Sequence, residues 1–93
     1  MKKVHELKSW PEFFLDIHNG KRTFDLRKND RNFKVGDVIK LREWEPTTNA
    51  YSGREILKRI TYIMEGVGPG GIPPYHGLGR EYSILGITDA QTE

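Results

Sequence analysis

The tightest constraint on this chain is that most of it reads as strand, with only one stretch spaced like a helix. Thr23–Arg27 (TFDLR) and Val38–Glu45 (VIKLREWE) alternate polar and apolar residues, the two-residue period of a half-buried strand. Arg54–Glu65 is rich in β-branched and aromatic residues, and Ile60, Tyr62 and Met64 alternate with Thr61 and Ile63, so it reads as a third strand. Glu81–Thr88 reads as a closing strand and Val4–Lys8 as a short opening one. The helix falls at Trp10–His18, where Phe13, Phe14 and Ile17 make an apolar stripe and Asn19-Gly20 supplies a stop. Ser9 and Glu12 have the spacing of a capping box, and Pro11 suits a first turn. Strands at short intervals with one helix predict a mostly-β α+β fold, a small antiparallel barrel or open sheet covered at one end.

At 93 residues the chain is expected to be one domain, 1–93, with room for a single modest core. A hydrophobic content of 35% argues against disorder. With no cysteine there is no disulfide, thiolate metal site or Cys nucleophile. His5, His18 and His76 lack ligand-like spacing, so no metal and no cofactor is expected. No apolar run reaches the ~18–20 residues of a membrane-spanning helix. The expectation is a soluble, cytoplasmic, monomeric protein with no membrane partner, and a phage-encoded protein would read the same way.

Gly66–Gly79 holds six Gly and three Pro, so it reads as a long loop between strands, with Tyr75 and His76 at the tip of a lid. It is no phosphate-binding P-loop, because no Lys-Ser/Thr pair opening a helix follows it. Pro46–Gly53 reads as a second, polar loop.

The chemistry concentrates elsewhere. Eight of the 15 basic residues lie between Lys21 and Arg42, against Asp25, Asp30 and Asp37. Such a run often means only that charges alternate outward on exposed strands. The alternation assigns Phe24 and Leu26 to the core and places Thr23, Asp25 and Arg27 together on the other face. An acceptor beside a forked donor, set against a helix end, is suited to reading a base edge. Arg22 joins the pair if the chain turns at Gly20. Lys21, Arg22, Asp25, Arg27, Lys28 and Arg31 are thus the candidate nucleic-acid contacts, with Trp10, Trp44 or Tyr82 available for base stacking.

The stretch Gly20-x-Arg22-x-x-Asp25-x-Arg27 resembles the G-x-K-x-x-E-x-R signature of the ASCH domain, a branch of the PUA-like fold. His5–Lys8, the W-P-E-F helix, Arg27–Asp37, Leu41–Trp44, Tyr51–Arg54 and the closing Y-S-I-L-G-I extend the resemblance to the DUF3850 family within that group. The resemblance implies a five- to six-stranded pseudo-barrel with one or two short helices flanking a cleft, and an RNA or nucleotide ligand. It also implies that Arg22, Asp25 and Arg27 line the cleft. Two alternatives stay open. Some ASCH relatives are amidohydrolases of acetylated cytidine and others ribonucleases, for which Arg22, Asp25 and Glu81 are the weak catalytic candidates, with His5 or His76 beside Asp25 in a ribonuclease. Arg22 stands where such hydrolases carry Lys, and a guanidinium does not titrate as an acid–base catalyst. The other alternative is a protein-interaction domain.

Overall fold

In the computed structural model, residues 3–66 and 78–90 are described. They form β1 (Val4–Ser9), α1 (Pro11–His18), β2 (Phe24–Lys28), β3 (Val38–Glu45), β4 (Ala50–Glu65) and β5 (Tyr82–Asp89). The lid residues Tyr75 and His76 lie outside the described residues.

The five strands make one sheet in the order β1-β3-β4-β5-β2, curled into a half-barrel. β1 runs parallel to β3, and every other neighbouring pair is antiparallel. The consequence for function lies in that order: β1 and β2, joined in sequence by α1, end up at opposite edges of the sheet. The helix therefore crosses the open side. It buries Phe14 and Ile17, which together with Leu7, Phe33, Ile39, Leu41, Ile60, Leu85 and Ile87 make the core. Each such large side chain contributes roughly 1.5–3 kcal/mol relative to exposure.

The 16-residue β4 serves both halves of the curl, pairing with β3 through its first part and with β5 through its last. Two register shifts allow the bend, one between Arg42 and Trp44 on β3 and one between Ile60 and Tyr62 on β4. The second shift moves parity by one residue. Ile63, not Tyr62, follows Ile60 inward, and Tyr62 is 58% exposed over Gly86 of β5. Simple alternation through Ile60, Tyr62 and Met64 therefore does not hold.

Three other expectations are corrected. Ser9 does not cap the helix: it is the last residue of β1, and Trp10 takes the N-cap position without a side-chain cap bond. The loop at 46–53 contracts to a turn, because Tyr51 is already paired with Trp44 across the strands, their rings edge to face at 4.8 Å. Phe24 and Leu26 are not core residues, at 46% and 49% exposed, whereas Asp25 is 3% exposed. β2 is an edge strand whose inner side faces the seam left by the unclosed barrel, and there the buried carboxylate of Asp25, with Arg27 beside it, stands where a central strand would place an apolar side chain.

The connection from β2 to β3 covers the outer edge of β1. Arg31 donates to the Glu6 carbonyl at 2.9 Å, Phe33 packs edge-on against His5, and Asp37 holds the start of the strand. An edge so occupied offers less for another chain to pair with.

Candidate functional site

The seam between the two sheet edges is a cleft of about 530 Å³ lined by Lys8 and Ser9 of β1, Trp10 and Phe13 of the helix, and Arg22, Asp25, Leu26 and Arg27. Asp25 is at its centre. Arg27 Nε donates to Asp25 Oδ2 at 2.6 Å, and an Arg22 amino group reaches Oδ1 at 3.4 Å. Arg22 is itself fixed twice: its Nε donates to the Phe24 carbonyl at 3.0 Å, and its guanidinium lies about 5 Å from the Phe13 and Phe24 rings. Gly20 makes this possible. Its φ of +79° turns the chain out of the helix and brings Arg22 back toward the strand that follows.

A carboxylate this buried needs partners, because an unpaired one is strongly disfavoured away from water. Arg27 meets that need with Nε alone. Its two terminal amino groups have no hydrogen-bond partner among the described residues, and the side chain lines the cleft. With Lys8 and Arg22, the lining carries three cations against the single carboxylate of Asp25.

Of the residues expected from the sequence, Trp10, Arg22, Asp25 and Arg27 converge on the cleft. The others are placed elsewhere. Lys21 is exposed in the connection before β2. Lys28 ends β2 on its outer face, opposite Tyr82 in the register. Arg31 is engaged at the β1 edge. Glu81 is exposed just before β5, its carbonyl accepting from the Asn29 amide at 2.6 Å. His5 is buried against Asp37.

Sequence reading missed Lys8, Ser9 and Phe13 as cleft residues. It also missed the ion pair behind them. Glu43 is buried on β3, next to Ser9 in the register, and Arg54 grips both its oxygens at 3.0 and 2.8 Å. The Arg54 hydrogen bonds, with one from Ser52, hold the Glu43 carboxyl below its ordinary range despite burial. The available signal was Glu43 itself, which shares parity with the core residues Ile39 and Leu41. An inward carboxylate requires a cation. Replacing Arg54 with Ala is expected to lower the melting midpoint more than replacing Asp89, whose exposed carboxylate pairs with Lys58 at 2.5 Å. Thermal denaturation of the two variants checks the order.

A curled mostly-β domain with an arginine-clamped carboxylate in its open seam is the class of protein that fold and site define. The family model described as "Domain of unknown function (DUF3850)" matches residues 4–87, so the chain belongs to that family. It is also similar to the "Uncharacterized 12.9 kDa protein in GpA 3'region" of Escherichia phage P2, 35% identical over 65 residues. That match covers 70% of this chain and 58% of the phage protein, so the chain spans little more than half the length of this relative.

Proposed function

We propose that the seam cleft binds RNA or a free nucleotide, and that the domain is a binding module of the ASCH branch of PUA-like proteins. The observation that carries this reading is the Asp25–Arg27 pair. Asp25 fixes the guanidinium through Nε and leaves the terminal amino groups, a forked donor suited to a phosphate or a base carbonyl, with no acceptor among the described residues. Trp10 and Phe13, 50% and 44% exposed, supply aromatic surface at the same place for a base to lie against. The resemblance to the ASCH signature supports the same site, with Gly20 and Arg27 matching it and Arg22 and Asp25 standing where it has Lys and Glu. Arginine at position 22 favours binding over proton transfer, since a guanidinium keeps its charge throughout the working pH range.

Titration of short single-stranded RNAs, followed by intrinsic tryptophan fluorescence at several salt concentrations, tests the reading. Three cations in the lining predict that log Kd rises with log salt with a slope of about 2. Affinity independent of salt, or no binding at all, overturns the proposal.

A further inference from the structure

Ser9 is 3% exposed, and its hydroxyl is buried with no hydrogen-bond partner among the described residues. Buried polar side chains are nearly always paired, so this one calls for an explanation. Its alternation with Glu6 and Lys8 turns it to the inner face of the sheet, and it lines the cleft between Lys8 and Trp10. The adjacent residue in the register is Glu43, whose two oxygens are already held by Arg54. Ser9 thus belongs to one wall of the cleft, its hydroxyl turned away from solvent behind that wall, with Asp25 and Arg27 contributed by the strand at the opposite sheet edge.

We propose that Ser9 is a specificity-determining residue: on binding, its hydroxyl rotates about χ1 out of its buried position and hydrogen-bonds the edge of one unpaired nucleobase held in the seam. This rests on the nucleotide-binding reading above and narrows it to single-stranded ligands. The three polar groups are chemically distinct. Ionised Asp25 only accepts, Arg27 only donates, and a hydroxyl does either. Together they match a base edge that presents donor and acceptor positions side by side. A cleft of about 530 Å³ accommodates one base and its attached sugar phosphate. In an A-form duplex the base edges are paired or recessed in the grooves, so a base reaches such a seam only when unstacked.

The test uses the full chain, dye-labelled heptamers of rA, rC, rG and rU, and a blunt RNA hairpin, with affinities read by fluorescence anisotropy. Wild type is expected to prefer at least one base and to bind the hairpin more weakly than that single strand. Ser9→Ala is expected to lose about tenfold in affinity for the preferred base, the worth of one hydrogen bond, and less for the others. Its melting midpoint is expected to be unchanged or higher, because the substitution removes a buried hydroxyl that the free protein leaves unpaired. Ser9→Cys, close in shape but a weak hydrogen-bonding group, is expected to behave as the Ala variant does. Unaltered base preference in Ser9→Ala, with binding still lost in Arg27→Ala, overturns the role of Ser9 and leaves the nucleotide reading standing. An equal loss for all four bases, full preference in the Cys variant, or a hairpin bound as tightly as the best single strand also overturns it. Absence of any binding by wild type overturns both.

Discussion

Substituting Arg27 with Ala is expected to weaken RNA or nucleotide binding by about 10- to 100-fold, the range for losing charge-assisted hydrogen bonds worth about 1.5–3 kcal/mol. The guanidinium holds the central carboxylate with Nε at 2.6 Å, and its side chain is only 21% exposed, so its position is set before a ligand arrives. Ligand binding then costs little side-chain ordering. Arg27→Lys is not a rescue. An ammonium reaching Asp25 has no second set of donors held in a fixed plane, so most of the loss is expected to remain.

The control is a cation of equal charge outside the seam. Lys34 is exposed in the connection between β2 and β3, and Lys34→Ala is expected to change affinity less than twofold, with ligand-steering charge only slightly reduced. Anisotropy titrations at one salt concentration compare the two. Equal losses would mean a diffuse basic surface in place of a pocket. A melting curve for Arg27→Ala separates binding from folding, since Asp25 keeps only the longer 3.4 Å contact with Arg22.

This contrast also marks how far the sequence could be read. Eight basic residues between Lys21 and Arg42 look equivalent in composition, yet only Arg22 and Arg27 line the cleft. The period-two alternation correctly grouped Asp25 with Arg27 and apart from Phe24 and Leu26. It could not say which group faces inward, because that depends on where β2 falls in the strand order. A central strand would bury the apolar side; an edge strand facing an open seam buries the ion pair. The register shift at Ile60 was equally hidden, since one extra residue inverts parity with no change in composition. Ser9 was obscured by a competing local explanation. Its spacing to Glu12 is that of a capping box, and only the strand geometry of Val4–Ser9 shows the side chain turned inward instead. By contrast, Gly20 and the Phe14 and Ile17 part of the helix stripe were legible, because a positive φ and a helical period are local properties, whereas Phe13, read as part of that stripe, is 44% exposed at the cleft.

Removing the Asp37 carboxylate is expected to cost about 3 kcal/mol or more of folding stability, the largest single loss in this domain, because several donors lose their acceptor together. Asp37 is 4% exposed and accepts from the backbone amides of Lys3 at 3.2 Å and Lys34 at 3.1 Å. His5 Nε2 lies 2.9 Å from Oδ2, and an ionised carboxylate only accepts, so that nitrogen carries the proton. One side chain therefore ties the start of β3 to the start of β1 and to the turn at Lys34. Burial would raise the Asp37 pKa, but the hydrogen bonds from His5, Lys3 and Lys34 more than offset it and hold the group below its reference of 3.8. Glu43 is likewise held below its reference of 4.5 by Arg54 and Ser52. Both folded-state values lie below the unfolded ones, so the unfolded chain takes up protons first as pH falls. Their stabilisation is fully present above the unfolded values and is lost as pH drops through the folded ones, below about pH 4. Urea denaturation of wild type and Asp37→Ala at pH 7 and along an acid series checks both parts. The variant should show the lower midpoint at pH 7 and a shallower decline in acid, because the proton-linked part of the Asp37 contribution is already gone. A variant as stable as wild type at pH 7, or one that declines as steeply in acid, would show that the β1–β3 junction is held by its apolar contacts alone.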